Sequence, residues 1–435
     1  MSALTDPYLP DHGDPAYDVR HYDLELDYRL EGNRLSGRAT ITAVARDYLG
    51  AFTLDLAGLV VTKVTVDGRA AGRYVHRGSR LEVRPAMPLE AGQEFTVTVA
   101  YRGNPRPLPG PWGEAGWEEL DDGVIVASQP HGAPSWFPCN DRPSDKATYR
   151  IAVTAPEGYH VAANGSLVST HRRASGTTWT YEEHQPMASY LATVQIGRYV
   201  VRELSSVVPM EVVLPSRRAF ELEDGFGRQP EMMAAFVELF GPYPFPAYRV
   251  VVTDDELEIP LEAQGLSIFG SNFLSDAWSA ERLVAHELAH QWFGNCVTLT
   301  RWNDIWLHEG FACYSEWLWS ERSGRRSADA EARAHWDRLS DLPQDLLLGD
   351  PGTGDLFDDR VYKRGALLLH ALRLTIGDDA LWQTFRTWVE RHAHANATTA
   401  DFVALAGEIS GRDLGPLFDD WLYQEALPPL PDPAA

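Results

Sequence analysis

Two histidines and two glutamates carry the most chemistry in this sequence. His286-Glu287-Leu288-Ala289-His290 lies in a stretch with apolar residues at helical spacing. On a helix, side chains four apart stand one turn above each other on the same face. Two imidazoles in that relation can bind one zinc ion, with the intervening glutamate aimed at a water on the same metal. A five-residue pattern of this kind also turns up by chance, so it needs support from elsewhere in the chain. Zinc in a hydrolytic site takes three protein ligands and keeps a fourth position open for water. Phe293 and Cys296 stand where an extended H-E-x-x-H-x-x-G-x-x-H pattern would place glycine and a third histidine. A carboxylate is available instead at Glu309, in a second helical stretch. A helix end, a short loop and an antiparallel helix can return it to the histidines. His286, His290 and Glu309 then form a His₂Glu set, with Glu287 beside it as a base. Glu316, two turns beyond Glu309, shares its face. It either orients a ligand or is a solvated charge.

The elements that must position these groups divide the chain in two. From about residue 17 to 200 the pattern is that of strands. Residues 21–30 and 38–45 alternate apolar and polar with period two. Turn pairs such as Asp67-Gly68, Arg77-Gly78, Asp122-Gly123 and Asn164-Gly165 separate the runs. After about residue 200 a few strands remain (210–214, 249–253) and helices take over. The spacing predicts helices over 279–293, 306–320, 361–376, 379–392, 399–409 and 414–423. Ser279 is the expected N-cap of the first, and Gly294-Asn295 its end. The expectation is an all-β domain over residues 1–202 followed by a mostly helical domain over 203–435, a multidomain α+β chain.

Composition narrows the partners. The 435 residues are 44% hydrophobic and 23% charged, normal for a chain that buries a substantial core. A net charge of −24 argues against nucleic acid, which requires clustered Lys and Arg. An acidic surface mildly attracts cationic substrates, although solubility alone explains it as well. No apolar run is long enough for a membrane helix, and the amino end lacks a secretory pattern, so a cytoplasmic location is expected. Cys139, Cys296 and Cys313 form no C-x-x-C pair or disulfide framework, as in a reducing compartment, and read as small buried residues.

Residues 286–295 (HELAHQWFGN) and 302–310 (WNDIWLHEG) resemble the aminopeptidase N family of zinc metallopeptidases, peptidase family M1 of the gluzincin type. Residues 137–143 (FPCNDRP) with 146–149 (KATY) resemble the signature of the family's β-domain. Residues 418–423 (FDDWLY) resemble the usual end of its catalytic domain. The resemblance implies a saddle-like N-terminal all-β domain and a thermolysin-like catalytic domain. It also implies one Zn²⁺ per chain and hydrolysis of the first peptide bond of substrates with a free amino end. Glu287 would be the general base. Tyr362 fits the family tyrosine that donates to the tetrahedral oxyanion, although spacing alone reads it as a core aromatic.

Residues 259–263 (IPLEA) align with the family's Gly-x-Met-Glu-Asn loop, so Glu262 falls where the α-ammonium is bound. Ile259, Leu261 and Ala263 replace its Gly, Met and Asn. By position alone Glu262 is one more charge in an acidic loop. Gln129 falls where the family holds the same amine. Many members carry a further helical domain that roofs the site. A short form with an open site, tolerant of long peptides and weak on short ones, is expected here. The rival readings are a zinc hydrolase that opens an epoxide, an endopeptidase, and a silent interaction protein on the same scaffold. The sequence leaves monomer and homodimer equally open.

Overall fold

The computed structural model describes residues 5–432. The amino-terminal half is built from strands. Tyr17–Arg29 shows why: Tyr22, Leu24, Leu26 and Tyr28 point into the core while Glu25 and Asp27 point to solvent. A period of two is the only one that serves a sheet with one buried face. This strand pairs antiparallel with Arg34–Ala45 and parallel with Ala147–Ala155, at the centre of an eight-stranded sheet. A five-stranded sheet and a three-stranded sheet complete this half. The Asp67-Gly68 pair makes the turn expected of it. Both residues have positive φ (50° and 73°), and Val66 pairs directly with Arg69, as a two-residue type I′ hairpin requires.

The third large sheet belongs to the other half. Its order is Tyr199–Leu204, Met210–Pro215, Tyr248–Val252, Leu266–Phe269 and Leu261–Ala263. Its central strands are parallel, and the short strand carrying Glu262 lies antiparallel at the edge. Helices follow. Gln229–Phe240 and Ala328–Ser340 were not anticipated from the sequence. Trp306–Arg322, Asp359–Ile376, Asp378–Arg391, Thr399–Ser410 and Gly415–Tyr423 lie close to the expected spans.

The helix bearing the histidines differs from expectation at both ends. It runs Trp278–Ala289, with Ala277 at the N-cap and no side-chain cap, so Ser279 falls inside the first turn. Its start is served by Glu281, whose carboxylate sits at the positive end of the helix. After Ala289 the chain tightens into shorter bonds, Gln291 N–H to Leu288 O (3.2 Å) and Trp292 N–H to Ala289 O (3.1 Å). His290 keeps helical backbone angles, so its register with His286 survives. One apolar core runs through both halves, from Tyr8 to Leu422. Among the described residues, no helix is long and apolar enough to cross a membrane.

Candidate active site

The histidine helix and the Trp306–Arg322 helix lie side by side and bring His286, His290 and Glu309 together. One donor atom from each lies within 4.8 Å of the others. Glu309 Oε2 is 3.3 Å from His286 Nε2 and 3.5 Å from His290 Nε2. The outer ring nitrogens are held by acceptors. His286 Nδ1 is 2.8 Å from Glu316 Oε1, and His290 Nδ1 is 3.1 Å from the carbonyl of Phe293. Both contacts place the proton on Nδ1 and leave Nε2 as the free donor atom. Glu316 is therefore not a solvated charge. It is buried, binds His286 with one oxygen, and binds Arg282 with the other at 3.0 Å.

This arrangement passes a chemical test for zinc. Two imidazoles oriented through Nδ1, plus one carboxylate, are the donor set of a catalytic zinc centre. His286, His290 and Glu309 are the residues that would hold the ion. The electrostatics agree. Burial opposes charge on the histidines, yet the surrounding carboxylates overcome it, raising His286 to about 9 and His290 to about 10. Burial would likewise raise Glu309, but the charge of His290 and the hydrogen bonds from both histidines hold it far below the usual carboxylate range. A pocket that draws positive charge this strongly favours a divalent cation.

Glu287 points into the same space. Its Oε2 is buried and has no hydrogen-bond partner among the described residues. An orphaned buried carboxylate oxygen is costly, and such groups concentrate where a substrate or water is to be met. Burial raises its pKa, with the histidines pulling the other way. A carboxyl oxygen of Glu262 lies within 4.8 Å of both Glu287 and His290 donor atoms. Glu262 is 7% exposed and accepts a hydrogen bond from Gln129 Nε2 at 2.6 Å. Its acidic neighbour Asp254 instead pairs with Arg217 and Arg218. Burial, the largest influence, pushes Glu262 up to about 8.

Tyr362 completes the cluster. Its ring stacks on His286 with centroids 6.0 Å apart and planes 23° from parallel. Burial raises its hydroxyl well above the ordinary value, so it stays protonated and able to donate. Two glycines explain how it arrives there. A Cβ on Gly310 would meet Gly365 Cα at 2.9 Å, and one on Gly365 would meet Gly310 Cα at 2.8 Å. The Trp306–Arg322 and Asp359–Ile376 helices touch backbone to backbone at this point, next to Glu309 and one turn from Tyr362.

The sequence reading missed three supports. Lys146 reaches from the β-half and donates to the carbonyls of Asn295 (3.0 Å) and Cys296 (2.9 Å), pinning the turn that ends the histidine helix. His308 Nε2 accepts from Leu299 N–H at 2.8 Å. Gln291 ties the same turn to the Glu262 strand, through Ala263 O (3.1 Å) and Gly265 N–H (2.8 Å). The FPCNDRP segment is structural: Asn140 donates to Asp145 (2.5 Å), and Asp145 accepts from Val19 N–H (3.1 Å).

An all-β domain joined to a helical domain that carries a His₂Glu set with an unpaired glutamate beside it defines a metallopeptidase scaffold. Comparison with known proteins gives the family. The Peptidase family M1 domain matches residues 226–421, and the Peptidase M1 N-terminal domain matches residues 19–191. A solved M1 zinc metallopeptidase from Deinococcus radiodurans is 33% identical, aligns over 100% of both chains and superposes with a TM-score of 0.91. A mutant of that enzyme, solved with a Tyr-Ser-Ala substrate, is 32% identical with the same TM-score of 0.91. Aminopeptidase N of Lactococcus lactis is 29% identical over 94% of this chain and 51% of its own length. Leucyl aminopeptidase of Saccharolobus solfataricus is 24% identical over 94% of this chain and 54% of its own. The chain thus spans about half the length of the curated relatives it matches, and it belongs to peptidase family M1.

Proposed function

We propose that this protein is a zinc-dependent aminopeptidase that removes one residue at a time from peptides with a free amino end. The observation that carries this reading is the closeness of Glu262 to Glu287 and His290, all within 4.8 Å. An amine gripped by Glu262 and Gln129 leaves room for a single residue before the metal set, so only the first peptide bond can be presented. The relatives named aminopeptidases and the peptide seen in the Deinococcus enzyme support the same reading.

Zinc held by His286, His290 and Glu309 supplies Lewis acidity toward the scissile carbonyl and the attacking water. Glu287 takes the proton from that water and passes it to the leaving amine. Glu262 presents a buried carboxylate to the α-ammonium, whose positive charge offsets the cost of burying it. Gln129 fixes the direction of that carboxylate. Tyr362 donates its hydroxyl hydrogen to the oxyanion as charge develops. Glu316 keeps His286 in the tautomer and orientation that ligation needs.

The test is hydrolysis of a panel of aminoacyl-p-nitroanilides and peptides, with a chelator and after zinc is restored. Free amino acids should be released, chelator should abolish the release, and zinc should recover it. Acetylating the amino end should stop cleavage. Undiminished cleavage of acetylated peptides would mean an endopeptidase. No release by well-folded, zinc-loaded protein would overturn the reading.

A further inference from the structure

Behind the metal set lies a cavity of about 1020 Å³. Its walls come from the histidine helix, the Trp306–Arg322 helix and following turn, the Ala328–Ser340 helix and the first turns of Asp359–Ile376. None of the residues assigned to the amine, the metal or the carbonyl lines it. It meets the site through Glu316, which holds the outer nitrogen of His286 at 2.8 Å. The peptide is cleaved at the opposite edge of that ring, so this cavity calls for a different occupant.

For a chain of net charge −24 the walls are unusual. Arg282, Arg325, Arg326, Arg338 and Lys363 stand against three carboxylates. Glu316 takes Arg282 at 3.0 Å, and Glu331 takes Arg326 at 3.3 Å. The third carboxylate, Asp359, is exposed and lies 3.8 Å from Lys363, too far for a hydrogen bond. Lys363 is mostly buried, yet among the described residues its one hydrogen-bond acceptor is the Cys313 thiol at 3.4 Å. Three N–H donors with a single weak acceptor leave that ammonium short of partners. Arg325 lies over the Trp278 ring, 4.6 Å from its centroid, and Arg338 meets the Ala334 carbonyl of its own helix at 3.1 Å. Neither arginine has a carboxylate partner among the described residues.

The cations converge on one another. His335 stacks on Trp317 inside the cavity, with centroids 5.0 Å apart and planes 17° from parallel. Burial, followed by the charges of Lys363 and Arg338, pushes its imidazole down to about 3, and Arg282 acts in the same direction. Groups from three helices thus press positive charge on one ring, and an anion relieves that surplus. The shape of the anion follows from where the donors stand. A carboxylate is planar, and one guanidinium fork satisfies both of its oxygens. A tetrahedral oxyanion presents oxygens in several directions, so guanidinium and ammonium groups on separate walls can each meet one.

We propose that this cavity binds a doubly charged tetrahedral oxyanion, a phosphate group either free or carried by a small ester, and that its occupant tunes the metal centre through Arg282, Glu316 and His286. An anion beside Arg282 offsets the positive charge nearest Glu316, which leaves His286 in a field more favourable to a bound cation. Anion and zinc then strengthen each other by the same factor, because coupling between two binding equilibria is reciprocal. Binding at this site does not depend on which peptides the enzyme cleaves.

The test is calorimetry on zinc-loaded protein with inorganic phosphate, sulfate and phenyl phosphate, at ionic strength held constant with sodium chloride. Each oxyanion should bind. An Arg325→Ala, Arg338→Ala double variant, whose replaced side chains are exposed, should weaken that binding about tenfold. Phenyl phosphate bound about fivefold tighter than inorganic phosphate identifies an ester as the ligand, and equal affinity identifies the free ion. Coupling is read by competition for zinc against a chromophoric chelator, with sulfate as the probe because phosphate itself binds zinc. Saturating sulfate should tighten zinc binding by about threefold or more over chloride at equal ionic strength, and the gain should vanish in the double variant. Absence of oxyanion binding overturns the proposal. So does binding that survives the double variant, as it would for phosphate seated on the zinc. Binding without any change in zinc affinity overturns the coupling. None of these results alters what the p-nitroanilide panel shows, so the aminopeptidase reading stands or falls separately.

Discussion

Glu316 allows a test of the metal centre that does not depend on turnover. Its carboxylate is buried, accepts from His286 Nδ1 at 2.8 Å, and pairs with Arg282 at 3.0 Å. Burial opposes its charge, but Lys363 and His286 outweigh it and hold Glu316 near 2, so it is ionised at any working pH. Replacing it with glutamine keeps an acceptor for His286 and removes the charge. A charge-assisted hydrogen bond is worth roughly twice a neutral one, a difference of about 1 kcal/mol. Zinc affinity should therefore fall by roughly five- to tenfold in Glu316→Gln. Glu316→Ala removes the acceptor altogether and leaves Arg282 unpaired beside an imidazole that must bind a cation. Its loss should approach roughly a hundredfold, the upper range for groups that orient a metal-bound histidine.

The assay is competition for zinc against a chromophoric chelator at fixed pH, with circular dichroism to confirm that each variant is folded. The expected order is wild type, then glutamine, then alanine. If both variants bind zinc as tightly as wild type, the orientation argument is wrong, because His286 would then be held by its helix alone. If glutamine is as damaging as alanine, the charge matters and the hydrogen bond does not.

Tyr362→Phe should lower kcat by roughly 10²–10³ and leave KM within a few-fold, since the hydroxyl is used only as charge develops on the substrate oxygen. Steady-state kinetics on the preferred p-nitroanilide would show it, and full activity would remove Tyr362 from the mechanism. Lys146→Met should cost roughly 2–3 kcal/mol in urea unfolding, because the carbonyls of Asn295 and Cys296 lose a buried donor. Asp145 has its carboxyl raised by burial from 3.8 to about 7. Below 3.8 both the folded and unfolded states hold the proton, and between there and about 7 only the folded state does. Its contribution to stability is therefore lost as pH rises through that window, by an amount of order a few kcal/mol. Asp145→Asn should flatten the fall in stability from pH 4 to 7 measured by chemical denaturation, and an unchanged slope would refute the assignment.

The site was legible in the sequence wherever its chemistry is local. Two histidines that are to share an ion must stand one turn apart, and that constraint is written in the four-residue spacing of His286 and His290. Glu309 was reachable because a helix end, a short loop and an antiparallel helix can return a carboxylate to the first helix, and the structure does bring it beside both histidines. The strands were legible for a similar reason: Leu24, Leu26 and Tyr28 cannot be buried together with Glu25 and Asp27 exposed except at period two. Helix ends were less so. Serine is a good N-cap in general, but Ser279 competes with a start fixed one residue earlier, where Glu281 meets Arg228 at 2.8 Å and Trp319 Nε1 at 2.8 Å.

What the sequence did not reveal depends on contacts between distant segments. Whether Glu316 was a solvated charge or a partner of His286 turned on which face of its helix met the histidine helix. The approach of Gly310 to Gly365 sets how the Tyr362 helix seats against Glu309, yet each glycine alone looks like a weak point in a helix. A cavity of about 1020 Å³ walled by the Trp278–Ala289, Ala328–Ser340 and Asp359–Ile376 helices is the extreme case. Arg282, Arg325, Arg338 and Lys363 are scattered over four segments of an acidic chain, so no window shows a basic run and the net charge points the other way. Net charge describes the field at a distance, whereas a ligand within a few ångströms meets the groups that line its own cavity. An acidic surface and a cavity lined largely by basic groups are therefore compatible in one molecule.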